Sequence, residues 1–205
     1  MNHDNLLLAF GLTVFAGLST VIGSFMAFLS KSFNPNFLSG SLGFSAGVMI
    51  YVSFVEIFAK ADASLSAVHG DALGHWFTVV AFFGGIALIA LIDWMVPSYE
   101  NPHEIRNMRE SGAIASLDTG RLHRMGVFSA LAIAIHNFPE GIATFMAAMH
   151  DPAVGISIAV AVAIHNIPEG IAVSVPIYYA TKSRTKAFWM SFLSGLAEPI
   201  GAVVG

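Results

Sequence analysis

The stretch ALAIAIHNFPEGIA at 130–143 returns as AVAVAIHNIPEGIA at 159–172, and eleven of the fourteen positions are identical. Each copy places a histidine, an asparagine, a proline and a glutamate inside an apolar run. The copies are joined through a short connection near 150–152, so consecutive helical spans would carry them in opposite directions. The repeat therefore predicts two antiparallel helices whose polar groups face each other.

Composition indicates a membrane protein. Of the 205 residues, 56% are hydrophobic and 11% are charged, with a mean hydropathy of +0.72. This is more apolar surface than one soluble core can bury. The net charge of −4 provides no basic surface for nucleic acid, which we exclude as a partner. The absence of cysteine excludes disulfides and thiolate metal ligands.

The apolar segments predict an all-α membrane protein, a polytopic transmembrane helix bundle forming a single domain over residues 1–205. A helix needs roughly 20 apolar residues to cross a bilayer. Six segments qualify: 6–29, 38–58, 76–96, 125–149, 153–180 and 187–205.

Charge predicts the orientation of these spans. Eight of the nine Lys and Arg residues lie in the loops 30–37, 97–124 and 181–186, and only Lys60 lies on the opposite side. Because cytoplasmic loops carry an excess of positive charge, we expect the N-terminus outside and the loop 97–124 in the cytoplasm.

The repeated motif predicts a pair of ligand-bearing helix faces. His136 and Glu140 are four residues apart, as are His165 and Glu169, so each pair shares one helix face. In an antiparallel hairpin, His136 would lie opposite Glu169 and Glu140 opposite His165. The rise along a helix would then separate these pairs into two tiers about 6 Å apart.

Prolines and a third carboxylate extend this polar region. Pro139 and Pro168 each remove a helical hydrogen bond, so we expect both helices to kink there. Glu198 precedes Pro199 in the sixth span and adds a carboxylate. The alternative interpretation is structural, because one buried histidine or glutamate in a helix bundle can be a neutral, hydrogen-bonded packing residue.

Several carboxylates together favour a metal site. A charge at the bilayer centre costs roughly 2.5–3.5 kcal/mol, and neighbouring carboxylates also repel one another. A divalent cation relieves both effects. Imidazole with carboxylate suits Zn²⁺ and, more broadly, Fe²⁺, Mn²⁺ and Co²⁺.

The paired HNxPEG motifs, followed by a glutamate in the next span, resemble the ZIP family of zinc and iron transporters. The stretches SLGFSAGVMIYVSFVEIF at 41–58 and SGLAEPIG at 194–201 are also similar to that family, so the resemblance covers nearly the whole chain. ZIP proteins have eight spans with both termini outside, which implies that the last two spans are missing here. The resemblance further implies uptake of divalent metal into the cytoplasm through a two-metal site at mid-membrane.

The resemblance also implies a ligand set. The first metal would be held by His136, Glu140, His165 and Glu169, with Met49 as a soft neighbour. The second would be held by Asn137, Asn166 and Glu198, with Glu140 and Glu169 bridging both ions.

The predicted function is therefore a divalent metal transporter and not an enzyme. The alternative is an intramembrane metal-dependent hydrolase, which the absence of an H-E-x-x-H motif disfavours. We expect metal ions as substrate and a location in the bilayer of a bacterial cytoplasmic (inner) membrane, with a homodimer left open. Glu56, His103 and His123 remain undecided between metal-handling and ordinary surface roles.

Overall fold

The computed structural model describes residues 3–29, 35–95 and 119–205, and the elements in these ranges are all helical. The all-α membrane class expected from the sequence is thereby confirmed. The elements are α1 (His3–Leu29), α2 (Pro35–Tyr51), a π-helix (Val52–Phe58), α3 (Ala59–His69), α4 (Asp71–Met95), α5 (Thr119–His150), α6 (Pro152–Thr181), α7 (Arg184–Gly195) and α8 (Ala197–Val204).

Membrane-length segments support a multi-pass arrangement. Within the described residues, five segments are long and apolar enough to cross a bilayer: Asn5–Leu29, Ser39–His69, Asp71–Leu91, Pro152–Thr181 and Arg184–Val204. The helix α5, which contains the fourth predicted span, has 32 residues but is not among the five. The orientation and the cytoplasmic loop remain predictions, and most of that loop lies outside the described residues.

The chain divides into two compact units, which are 1–49 with 102–205, and 50–101. In the first unit α6 is the central helix, because it packs most extensively against α1 and then against α5. The helix α5 in turn packs against α8. In the second unit α3 packs against α4, and the ring of Phe82 contacts Phe54 and Phe58.

The helix that contains the second predicted span is longer than its apolar run. Helical structure continues from α2 through the π-helix and α3 to His69, eleven residues past the predicted end at 58. The extra segment is rich in alanine, which favours helix even where polar residues carry it beyond the apolar region. Gly70 ends the helix with φ +82°, a left-handed conformation that glycine adopts without a steric cost.

Prolines act differently in the three polar helices. Helical structure continues through Pro139 in α5 and Pro168 in α6, so neither helix is interrupted at its motif. A bend at these prolines stays a prediction. The interruption falls instead at Leu196, between α7 and α8 and three residues before Pro199. Proline cannot donate to the carbonyl four residues earlier, which here belongs to Gly195.

The start of α6 gives a stability prediction. The Asp151 carboxylate accepts hydrogen bonds from the backbone N–H of Ala153 (2.9 Å) and Val154 (3.4 Å). Because these donors have no partner inside the helix, we expect Asp151→Ala to lower the free energy of unfolding by about 0.5–2 kcal/mol. Reversible unfolding in detergent measures the change. Ser157→Ala, on the exposed face of the same helix, is the control, and an equal loss in both variants would contradict the capping role.

Candidate metal centre

The two HNxPEG motifs meet where α5 packs against α6. His136 Nε2 lies 3.3 Å from Glu140 Oε1 and 4.0 Å from Glu169 Oε1. His165 Nε2 lies 3.0 Å from Glu169 Oε1 and 3.7 Å from Glu140 Oε1. Each histidine therefore lies within 4.0 Å of both carboxylates. The structure brings these four predicted residues together as one cluster.

This geometry corrects the expectation of two separate tiers. The cross-helix pairs predicted from the hairpin do form, but the pairs within each helix are closer still. The rings of His136 and His165 have centroids only 5.6 Å apart. Ligand atoms of His136, His165 and Glu169 all lie within 4.8 Å of one another, close enough to share one metal ion. The side chains are long and converge across the helix interface. Their ligand atoms therefore lie close together even though their Cα atoms are separated along the helix axis.

Burial differs sharply within the cluster. The side chain of His136 is 45% exposed, whereas those of His165, Glu140 and Glu169 are 10% exposed or less. Apart from the two histidine rings, neither carboxylate oxygen of Glu140 has a hydrogen-bond donor among the described residues. A buried carboxylate with so few donors is costly, and a cation is a suitable partner for it.

The third carboxylate lies beside the second motif. Glu198 on α8 is fully buried, and its Oε1 accepts a hydrogen bond from the amide of Asn166. The same amide donates to the backbone carbonyl of Ala16 on α1, at 2.9 Å. The Asn166 Oδ1 and Glu198 Oε2 atoms remain without hydrogen-bond donors in the described structure. These two oxygens are available as hard ligands.

Asn137 borders both groups. It is fully buried, and one of its amide orientations donates 3.1 Å to Glu169 Oε2 and 3.2 Å to the carbonyl of Ile133. In the opposite orientation its nitrogen donates to the carbonyl of Ser194 at 3.4 Å, and its oxygen faces Glu169. Two facing oxygens repel unless a cation lies between them. The amide can therefore act either as a donor to Glu169 or as a neutral metal ligand.

Close contacts at glycines position α1 and α8 against the motif helices. A Cβ at Gly141 would overlap the carbonyl of Glu198, and one at Gly201 would overlap that of Phe138. On the other side, a Cβ at Gly170 would overlap the carbonyl of Thr20. Each motif thus ends in a glycine at which a neighbouring helix approaches to backbone contact. This approach brings Glu198 next to the repeat.

The helix α2 contributes a residue that the sequence reasoning missed. Ser45 is 2% exposed, and its hydroxyl contacts both the ring Nδ1 and the backbone carbonyl of His165. Met49, the predicted soft neighbour, lies one turn further along α2 and is half-buried. Ser45 and Met49 are four residues apart and share one face of α2, but this spacing alone does not mark the serine as a partner of His165.

The undecided residues have ordinary surroundings where the structure describes them. Glu56, in the π-helix, forms a partly exposed pair with Lys60 at 3.6 Å. His123 is exposed near the start of α5. His103 lies outside the described residues.

Comparisons with known proteins identify the family of this chain. The family described as ZIP zinc transporter matches residues 95–205. The chain is 63% identical over 202 residues to the zinc transporter ZupT of Chlorobaculum parvum, covering 98% of this chain and 75% of that protein. It is 61% identical to ZupT of Oceanobacillus iheyensis, with the same coverage. It is 60% identical over 212 residues to ZupT of Nitratidesulfovibrio vulgaris, covering 100% of this chain and 76% of that protein.

These likenesses extend well beyond the repeated motif. They include α1 to α3 and nearly all of α4, which lie before the family match at 95–205, so the relatedness is not a local coincidence of HNxPEG sequences. The chain spans about three quarters of the length of these relatives. This multi-pass helical membrane protein belongs to the ZIP zinc transporter family.

Proposed function

We propose that this chain moves zinc across a membrane into the cytoplasm through a two-metal site between α5, α6 and α8. The observation that carries the proposal is the cluster of two histidines and two buried glutamates within 4.0 Å across the α5–α6 interface. The relatives, which are named zinc transporters, support zinc as the substrate.

The first metal would bind the ring nitrogens and carboxylates of His136, Glu140, His165 and Glu169. Zinc accepts nitrogen and oxygen ligands in a tetrahedral set, which two imidazoles and two carboxylates can supply. The exposure of His136 gives the cluster one accessible side. Met49 is included in the proposal as a soft neighbour on α2.

The second metal would bind the oxygens of Asn137, Asn166 and Glu198. Glu140 and Glu169 would bridge the two ions, because each already contacts both histidines through one oxygen and carries a second oxygen. Neutral amide oxygens bind a divalent ion less tightly than thiolates do, which suits release during transport. Oxygen ligands also make Fe²⁺, Mn²⁺ and Co²⁺ candidates for the same site.

Transport requires the site to open alternately to the two sides. The interruption at Leu196, between α7 and α8, lies two residues before Glu198, and we propose it as the hinge of such a motion. We propose the cytoplasmic membrane of a bacterium as the location of this chain, and the homodimer that the sequence left open stays a prediction. We propose no enzymatic activity for this chain, because the relatives are named zinc transporters and the carboxylates that a hydrolase would use as its base are the proposed metal ligands.

The test is zinc uptake by the full-length protein containing this sequence, reconstituted in liposomes that enclose a fluorescent zinc indicator. We expect His165→Ala to reduce uptake by about 10-fold or more. Mutating a residue that only supports a metal ligand already lowers metal affinity by about 10–100-fold. His150→Ala is the matched control, because His150 is exposed at the end of α5. Absence of uptake by the unmodified protein, or equal uptake by both variants, would refute the proposal.

A further inference from the structure

Ser45 makes two contacts with a single residue of the proposed site. Its hydroxyl donates to the backbone carbonyl of His165 at 3.2 Å and also contacts the ring Nδ1 of the same residue. Ser45 lies on α2 and is 2% exposed, so water does not compete for either contact. The two residues are 120 positions apart in sequence.

The single proton of the serine links the direction of its hydrogen bond to the form of the ring. When the Ser45 hydroxyl donates to the carbonyl of His165, it can only accept from the ring nitrogen, so Nδ1 carries the proton. In a neutral imidazole the other nitrogen, Nε2, then has a free lone pair. Nε2 is the atom that faces the carboxylates of Glu169 and Glu140, at 3.0 and 3.7 Å.

The opposite arrangement would block metal binding. If the hydroxyl donated to Nδ1 instead, the proton of the neutral ring would sit on Nε2 and point toward the carboxylates. A protonated nitrogen cannot be a metal ligand. The direction of one serine hydroxyl therefore separates a ring form that can bind metal from one that cannot.

We propose that Ser45 is a positioning residue for the metal site, which holds His165 in the Nδ1-protonated form and presents Nε2 to the metal. This inference rests on the proposed function, because it concerns the same ligand. Outer partners of this kind orient metal-binding histidines and raise their basicity, and their loss typically costs 10–100-fold in metal affinity. His165 obtains this partner from α2, outside the repeated motif.

Affinity measurements test the proposal. We expect Ser45→Ala to weaken zinc binding to the purified full-length protein by about 10- to 100-fold, measured by competition with a chelator. Ser45→Thr keeps the hydroxyl, so its zinc affinity should stay within a few-fold of that of the original protein. Thr13→Val is the control, since Thr13 is a fully buried hydroxyl on α1 that donates to a backbone carbonyl, and its loss should leave affinity unchanged.

Nitrogen NMR of histidine-labelled protein gives a second readout that needs no variant at Ser45. With zinc bound, His165 should show a protonated Nδ1 and a metal-bound Nε2, with the resonance assigned by its loss in His165→Ala. A metal-bound Nδ1, or unchanged zinc affinity in Ser45→Ala, would overturn the role of Ser45. Absence of zinc binding by the unmodified protein would instead refute the proposed function, so the two failures are distinguishable.

Discussion

Glutamine in place of Glu140 is expected to reduce zinc uptake by about 100-fold or more. Glu140 contacts both histidines, at 3.3 and 3.7 Å, and is assigned as a bridge between two metals. Glutamine has nearly the same volume but no negative charge, so packing is preserved while each metal loses an anionic ligand. Losing a residue that supports a metal ligand typically lowers metal affinity or activity by about 10–100-fold. Losing a direct ligand that both metals share should lower it further.

Liposome uptake of the full-length protein measures this effect. Glu56→Gln is the matched control, because Glu56 is partly exposed and paired only with Lys60 in its described surroundings. Asn137→Ala removes a neutral ligand of one metal and should reduce uptake less than the change at Glu140. Equal losses in the two site variants would contradict the bridging assignment.

Alanine in place of Gly170 is expected to separate α1 from α6 and to abolish uptake. The added Cβ would overlap the backbone carbonyl of Thr20, which cannot move aside as a flexible side chain could. Forcing an extra group into a packed interior costs about 1–3 kcal/mol and sometimes more. Because Gly170 directly follows Glu169, any shift of the backbone here also displaces a proposed ligand.

Thermal unfolding in detergent, followed by uptake in liposomes, measures both consequences. Gly11→Ala provides the control on α1, since a Cβ there meets nothing within 4 Å. Alanine favours helix over glycine by about 1 kcal/mol, so this variant should be as stable as the original protein or more so. A Gly170→Ala protein as stable and active as the Gly11→Ala protein would show that the close approach is unnecessary.

Local features of the sequence predicted much of the fold and of the site. Hydropathy indicated the helical spans, and the four-residue spacing within HNxPEG placed His136 with Glu140 and His165 with Glu169. These inferences depend on helix periodicity, which neighbouring helices hardly alter. Helical structure continues past the predicted span end at 58 to His69, because hydropathy marks where an apolar run stops and not where a helix ends.

Other predictions depended on distances between helices. The two-tier arrangement failed because it used the axial rise alone, while the side chains bend toward one another across the interface. Ser45 was missed because a serine in an apolar helix has no distinctive pattern until its partner is known.

The sequence by itself determined that two membrane helices present matching histidines and glutamates, because the repeat and its spacing are properties of the chain. Only the tertiary structure decided that the four side chains form one cluster, that Asn166 binds Glu198, and that Ser45 contacts His165. The physical reason is the close approach of α1 and α8 at Gly170 and Gly141. Backbone contact there sets the separation of helices that are distant in sequence, and no local pattern encodes that separation.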